Sequence, residues 1–397
     1  MCADVTKAFP DGFTWGTATA AHQIEGGNTN NDWWAFEHDP SSTASESSGD
    51  ATDSYHRWRD DADIVASLGL DNYRFSLEWS RIEPADGEFS QAALDHYARM
   101  CEGLKERGID PVVTFHHFTS PQWLAEQGGW ENPATADRFA TFVAKASARL
   151  DGLMAKACTI NEPNIVAVCG YTLGVFPPGR AEGMAKADEI GDVFVDAHRK
   201  AVDAVRANAP GTPVGLTVST TEWVALEGGD ERMAEERRIM EDRYFDAIDG
   251  DDFLGIQTYS RTRVGPNGMV GAEEGVPTLI MGYEYWPQSL EATLRRAWDY
   301  TGGRIPLIVT ENGIGTDDDT QRVAYLQAAL EGVLRAIADG VDVRGYTCWS
   351  LLDNFEWAFG YVPKFGLVEV DRTTFARAPK PSAHWLADVA RNNALPA

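Results

Sequence analysis

Eight short apolar or β-branched runs recur along the chain, at 13–21, 72–77, 111–115, 157–160, 213–218, 253–256, 306–310 and 343–349. Helical patterns fill the intervals. Leu94, Tyr97, Cys101 and Leu104 are spaced three or four apart, as are Val323, Leu326, Leu330, Val333 and Ile337. That spacing puts each set on one helix face. Further helices are predicted near 54–68, 135–150, 188–208, 231–248, 288–301 and 382–392. A strand followed by a helix, repeated, demands parallel pairing. Eight such units close a barrel. A doubly wound open sheet shares the alternation, but it calls for a glycine-rich phosphate loop after the first strand. Ala18-Thr19-Ala20-Ala21 stands there instead.

Nothing in the sequence reads as a linker. The most biased stretch, Pro40-Ser41-Ser42-Thr43-Ala44-Ser45-Glu46-Ser47-Ser48-Gly49-Asp50, is a polar loop. The expected architecture is therefore α/β, a single (β/α)8 TIM barrel, with residues 1–397 as one catalytic domain. Size alone would suggest two or three domains, but barrels run long. The segment Val264-Gly265-Pro266-Asn267-Gly268-Met269-Val270 reads as a hairpin turn, not a nucleotide loop.

In a barrel, the loops at the C-terminal strand ends form the open mouth, so chemistry collects there. The first run ends in His22-Gln23-Ile24-Glu25-Gly26, the second carries Arg74, and the third ends in His116-His117. The fourth ends in Asn161-Glu162, the sixth in Gln257-Thr258-Tyr259, and the seventh in Glu311-Asn312. The eighth ends in Trp349, with Glu356-Trp357 shortly after. Two carboxylates on separate strands facing one cavity suffice to cleave a glycosidic bond. Polar side chains beside tryptophans suit a sugar, which offers hydroxyls to one and an apolar ring face to the other.

Plainer readings exist for each. Asn161-Glu162-Pro163 alone also reads as a helix start, with Asn161 capping. Glu311-Asn312-Gly313 alone reads as a turn. Adjacent His116 and His117 point to opposite faces of a strand, so only one enters the barrel and a metal site is not expected. Arg74 also suits a structural ion pair, and Trp349 and Trp357 core packing; Trp123 and Trp130 are assigned to core.

The charge narrows the substrate. With 61 acidic against 34 basic residues, the net charge is −27. Such a field repels nucleic acid and anionic membranes and favours a neutral substrate. Five cysteines without paired spacing suggest neither a disulfide framework nor a zinc site; Cys158 and Cys348 read as small core residues. The start, Met1-Cys2-Ala3-Asp4-Val5-Thr6-Lys7, lacks the apolar core of a secretory signal. No apolar run approaches the roughly 20 residues that span a bilayer. A cytoplasmic location is expected, and the oligomeric state is left open.

With these residues in view, the chain resembles the family 1 glycoside hydrolases, the β-glucosidase and β-galactosidase family. The likeness runs from about Phe9 to Trp385. Five ordered motifs carry it: the stretch from Phe13 to Gly26, Tyr73-Arg74-Phe75-Ser76, Thr159-Ile160-Asn161-Glu162-Pro163, Val309-Thr310-Glu311-Asn312-Gly313, and the stretch from Trp349 to Trp357. The resemblance implies a retaining β-glycosidase that needs no cofactor or metal. Its expected substrates are small neutral β-glucosides, with galactosyl and fucosyl epimers as further candidates. It places the acid/base on Glu162 and the nucleophile on Glu311. Glycone contacts fall on Gln23, His117, Asn161, Trp349, Glu356 and Trp357. Arg74 and Tyr259 match residues that contact the nucleophile, with Tyr259 also beside the substrate. Retention implies carboxyl groups about 5–5.5 Å apart.

Two departures stand out. Gln257-Thr258 replaces the Asn-Tyr often found there, and Tyr283 replaces a tryptophan that often lines the aglycone site. A non-hydrolytic carbohydrate-binding relative would have lost a catalytic carboxylate, and both are present. A 6-phospho-β-glycosidase would, by the resemblance, carry a small residue in place of Glu356 and a lysine in place of Pro363.

Overall fold

The computed structural model describes residues 7–396. Cys2 and most of the N-terminal stretch read for a secretory signal lie outside the described residues. Eight parallel strands form a closed ring: β1 (Thr14–Ala18), β2 (Asn72–Ser76), β3 (Asp110–His116), β4 (Lys156–Asn161), β5 (Val214–Ala225), β6 (Phe253–Gly265), then, after the short β7 (Gly268–Val270), β8 (Leu307–Asn312) and β9 (Val343–Trp349). Pairing of β1 with β9 and of β5 with β6 completes the closure. β7 folds back antiparallel on β6 across Gly265 and Gly268, the hairpin expected at that glycine-rich turn.

Every run in the sequence became a strand, and a helix follows each barrel strand. Gln91–Glu106 begins at Ser90, whose hydroxyl accepts from the Ala93 amide at 3.2 Å and so satisfies an end donor. Its predicted face, Leu94, Tyr97, Cys101 and Leu104, is buried. Asp319–Ala338 is capped by Asp318 in the same way. Three boundaries differ from the pattern. β5 and β6 run on past their apolar cores into Ala225 and Gly265, and the helix predicted at 231–248 is broken by a wider π-type turn at Arg238–Asp242.

Two apolar layers hold the barrel. Outside, ring helices pack on outward strand side chains such as Phe115 against Phe142. Inside, Val112, Cys158, Phe253 and Ile308 fill the lower barrel as one cluster. Further along the same strands come His117, Asn161, Gln257 and Glu311. Because all eight strands run in one direction, the apolar plug closes one end and the polar residues reach the other. Cys348 is buried as expected. Among the described residues, no helix is long and apolar enough to cross a membrane.

Candidate active site

Glu162 ends β4 and Glu311 lies near the end of β8, and both line one cavity of about 580 Å³ at the barrel mouth. Each is almost completely buried. Glu162 sits in left-handed backbone, φ 45°, at the corner where β4 turns into the helix Pro163–Ala167. A non-glycine residue there stores strain of order 1–3 kcal/mol, which persists only when the surroundings fix it. Seven such residues occur among those described, and three of them, Phe118, Glu162 and Trp357, line this cavity. A helix does start at Pro163, but Asn161 does not cap it. Gly313, after Glu311-Asn312, is needed for close approach: a Cβ there would lie 2.1 Å from the Trp349 carbonyl oxygen.

The two carboxyls differ in their partners. Arg74 donates to Glu311 Oε1 at 2.6 Å, and the Tyr259 hydroxyl donates to Oε2 at 2.6 Å. Glu162 Oε1 is buried without a protein partner. Burial pushes the Glu162 carboxyl well up, the Glu311 charge pushes it further, and the Ser219 hydroxyl and Arg74 oppose only in part. Burial also raises Glu311, while Arg74 and Tyr259 pull it back toward the anion. A proton shared by this pair therefore rests on Glu162.

Asn161 is held by its neighbours. Its Oδ1 accepts from Arg74 Nη2 at 2.5 Å, from Gln257 Nε2 at 2.8 Å and from the Thr217 hydroxyl at 3.4 Å. That fixes the amide so that Nδ2 donates to His117 Nε2 at 3.2 Å. His117 stacks on Trp349 with centroids 5.6 Å apart, and burial keeps its ring neutral. His116 faces away and packs on Trp130, Phe139 and Phe194. Trp130 is core, as read from the sequence, and Trp123 is half-buried at the edge of the same layer.

At the far end, Gln23 Nε2 donates to Glu356 Oε2 at 3.3 Å and to the Phe355 carbonyl at 2.7 Å. Trp357 packs between Trp33, Phe118 and the His22 ring. Burial and the Glu311 charge push Glu356 up to about 8. Buried polar atoms without protein partners occur along the site: Gln23 Oε1, His117 Nδ1, Glu162 Oε1 and Gln257 Oε1, with the Tyr283 hydroxyl on the same cavity wall. Orphaned buried polar groups are costly, so a cluster of them marks where a polar ligand completes the bonding.

The structure thus brings Glu162, Glu311, His117, Tyr259, Trp349, Glu356 and Trp357 to one cavity wall, with Arg74, Asn161 and Gln23 directly behind. Asn312 turns away, donating to the Thr258 carbonyl at 2.6 Å and accepting from Tyr346 at 2.9 Å. Sequence reading missed Ser219 and Thr217 on β5 and the apolar lining from Ile165, Phe176, Met281 and Phe359. The one available signal was the β-branched Thr217-Val218-Ser219-Thr220-Thr221, which continues the fifth run.

The chain is similar to known proteins over nearly its whole length. The model of Glycosyl hydrolase family 1 matches residues 5–253 and 257–395. Beta-glucosidase A of Thermotoga maritima is 32% identical, with 98% of this chain and 99% of that protein covered. A bifunctional beta-D-glucosidase/beta-D-fucosidase of Bifidobacterium breve is 34% identical over 96% and 98%. The crystal structure of beta-glycosidase BGL167 superposes with a TM-score of 0.89 at 47% identity, over 98% of each chain.

Proposed function

The chain belongs to glycosyl hydrolase family 1, and we propose that Glu311 is the nucleophile and Glu162 the acid/base of its double displacement. The protein is a retaining β-glucosidase. The observation that carries the residue assignment is the asymmetry of the pair: both oxygens of Glu311 hold donors, whereas Glu162 Oε1 has none.

The chemistry follows from that asymmetry. Glu311, ionised, attacks the anomeric carbon from one face. Glu162, protonated, gives its proton to the departing glycosidic oxygen. The glycosyl ester that forms removes the Glu311 charge. One cause of the raised Glu162 pKa then vanishes, and Glu162 ionises to take a proton from water. Water attacks the same face that the leaving group left, so configuration is retained. Gln23, His117, Asn161, Trp349, Glu356 and Trp357 hold the glycone, and Tyr259 holds the nucleophile at the substrate's edge. The bifunctional relative acts on β-D-fucosides as well, and a 6-deoxy sugar is proposed as a second glycone here.

Glu311→Gly tests the assignment. Turnover should vanish with the fold intact, and azide should restore part of it through the vacated space, giving an α-glycosyl azide. A Glu311→Gly enzyme with near-native turnover refutes it.

A further inference from the structure

We propose that a second cavity, behind the wall of the catalytic one, binds a primary ammonium group carried on a short apolar chain. It encloses about 260 Å³ between the helix Asp32–Glu37, the stretch 120–131 that follows β3, and the segment 166–180. It shares no lining residue with the catalytic cavity, yet the same stretches of chain wall both. Phe118, Ile165, Cys169 and Phe176 line the catalytic side, while Ser120, Val166, Tyr171 and Pro177 line this one.

The polar groups of this second cavity are short of donors. Asp32 Oδ1 accepts from the Trp33 amide at 2.9 Å and the Ser120 amide at 2.8 Å, which leaves Oδ2 uncommitted. Burial pushes this carboxyl up to about 8; the Ser120 amide opposes, the Glu78 charge adds, and no cation figures among the main influences. Gln122 Oε1 is buried without a partner. Tyr171 is 2% exposed. Its hydroxyl meets the Trp130 amide and, among the described residues, no side chain. That hydroxyl lies 3.8 Å from a Cβ placed on Gly129, which also lines the cavity. Arg180, the cation on the wall, is spent on Glu131 at 2.8 Å and Glu182 at 3.4 Å.

Asp32 Oδ2, Gln122 Oε1 and the second lone pair of the Tyr171 oxygen are thus acceptors around one space. An ammonium group carries three donors and no acceptor, so it answers all of them. It also supplies the charge that a buried carboxylate lacks. A hydroxyl would meet the bonds but not the charge, and charge-assisted bonds are roughly twice as strong. An anion would face Asp32, Asp39 and Glu131 on the same wall. The net charge of −27 concentrates cations near the surface. The remaining wall suits a carbon chain: Ala35, Phe36, Ala125, Val166 and Pro178.

n-Butylamine against 1-butanol forms the test, read by calorimetry near pH 8, where Asp32 can ionise. The two ligands differ only in the head group. Butylamine should bind about tenfold more tightly than butanol, and methylamine about tenfold more weakly than butylamine for its missing methylenes. Asp32→Asn keeps the Oδ1 acceptor and should bring butylamine and butanol within about twofold of each other. Gln122→Leu should weaken butylamine about threefold and butanol less. Circular dichroism checks that each variant is folded; if Asp32→Asn is not, the wild-type pair and Gln122→Leu decide. Butanol matching butylamine in the wild type, or butylamine binding unmoved in the folded variants, overturns the inference. So does loss of butylamine binding when glucose saturates the protein. The amine would then sit among the glycone carboxyls, or a sugar would be the occupant of the second cavity.

Discussion

Tyr259→Phe isolates one bond on the nucleophile. Glu311 is 3% exposed, and each of its oxygens has one side-chain donor: Arg74 on Oε1 and Tyr259 on Oε2, both at 2.6 Å. Phenylalanine keeps the ring that packs 5.9 Å from Phe365 and deletes only the hydroxyl. A hydrogen bond to a charged group contributes about 1.5–3 kcal/mol. One pKa unit corresponds to about 1.36 kcal/mol. The bond favours the anion, so its loss raises the Glu311 pKa by about 1–2 units. Protonated Glu311 cannot attack, so the acid limb of kcat/KM against pH should move up by that amount. The alkaline limb reports proton loss from Glu162, which burial and the Glu311 charge hold up, and it should stay near its place. The bell therefore narrows from its acid side. The limbs belong to the coupled pair, so the comparison is between wild type and variant on one substrate, 4-nitrophenyl β-glucoside. A loss of kcat/KM that is uniform in pH, with the acid limb unmoved, would refute the claim that Tyr259 governs the ionisation of Glu311.

Glu162→Ala should cost about 10²–10⁴-fold on alkyl glucosides and far less on activated aryl glucosides, which need little protonation; equal losses across leaving groups would count against an acid role. Gln257→Leu removes a donor to Asn161 Oδ1, and Asn161 stands beside the nucleophile through Arg74. Bonds to the sugar's 2-hydroxyl strengthen in the transition state, and Asn161, tied to the nucleophile through Arg74, is expected to make one. The variant should lose about tenfold in kcat on a glucoside and much less on its 2-deoxy analogue, while Gln257→Asn recovers part; matched losses on both substrates would reduce Gln257 to a packing residue. Wild-type enzyme should hydrolyse a β-glucoside and ignore its 6-phosphate, and Glu356→Ser should weaken the first without creating the second, because Pro363 supplies no cation. Preference for the phosphorylated substrate would overturn the neutral-sugar reading.

The barrel was legible because strands buried on both faces must be apolar along their length, so 157–160 and 306–310 announce themselves. The ends of β5 and β6 were not, because beyond Ser219 and Ser260 the strands leave the ring and apolar runs cease to be required. Glu162 and Glu311 were legible as polar residues that stop an apolar run. Gln257 was visible as a departure, but its contact is with a side chain 96 positions away, and no local pattern encodes that. The ionisation of Glu356 was hidden for a similar reason, because it depends on burial and on a carboxyl carried by another strand. Burial and the Glu311 charge push Glu356 up to about 8, so near neutral pH it is largely protonated. Exclusion of phosphate then rests chiefly on the missing cation, since an unpaired dianion loses its water there.

That same dependence ties glycone binding to the reaction coordinate. Glu162 and Glu356 are both raised first by burial and next by the Glu311 charge. When Glu311 becomes an ester, that charge is gone, and both carboxyls fall together. Glu162 gains the ionisation it needs as a base. Glu356 shifts toward its charged form against sugar hydroxyls, and bonds to a charged acceptor are roughly twice as strong as neutral ones. The site should therefore grip the glycone harder in the intermediate than in the Michaelis complex, which holds the anomeric carbon in place while water enters. Trapping the ester with a 2-deoxy-2-fluoro glucoside and reading ¹³C-labelled glutamate carboxyls checks this. The titration of Glu356 should move down from about 8 on trapping, by the part the Glu311 charge contributes, while burial still holds it up. If it stays where it was, the Glu311 charge is not what holds it up, and the coupling between ester formation and glycone grip fails.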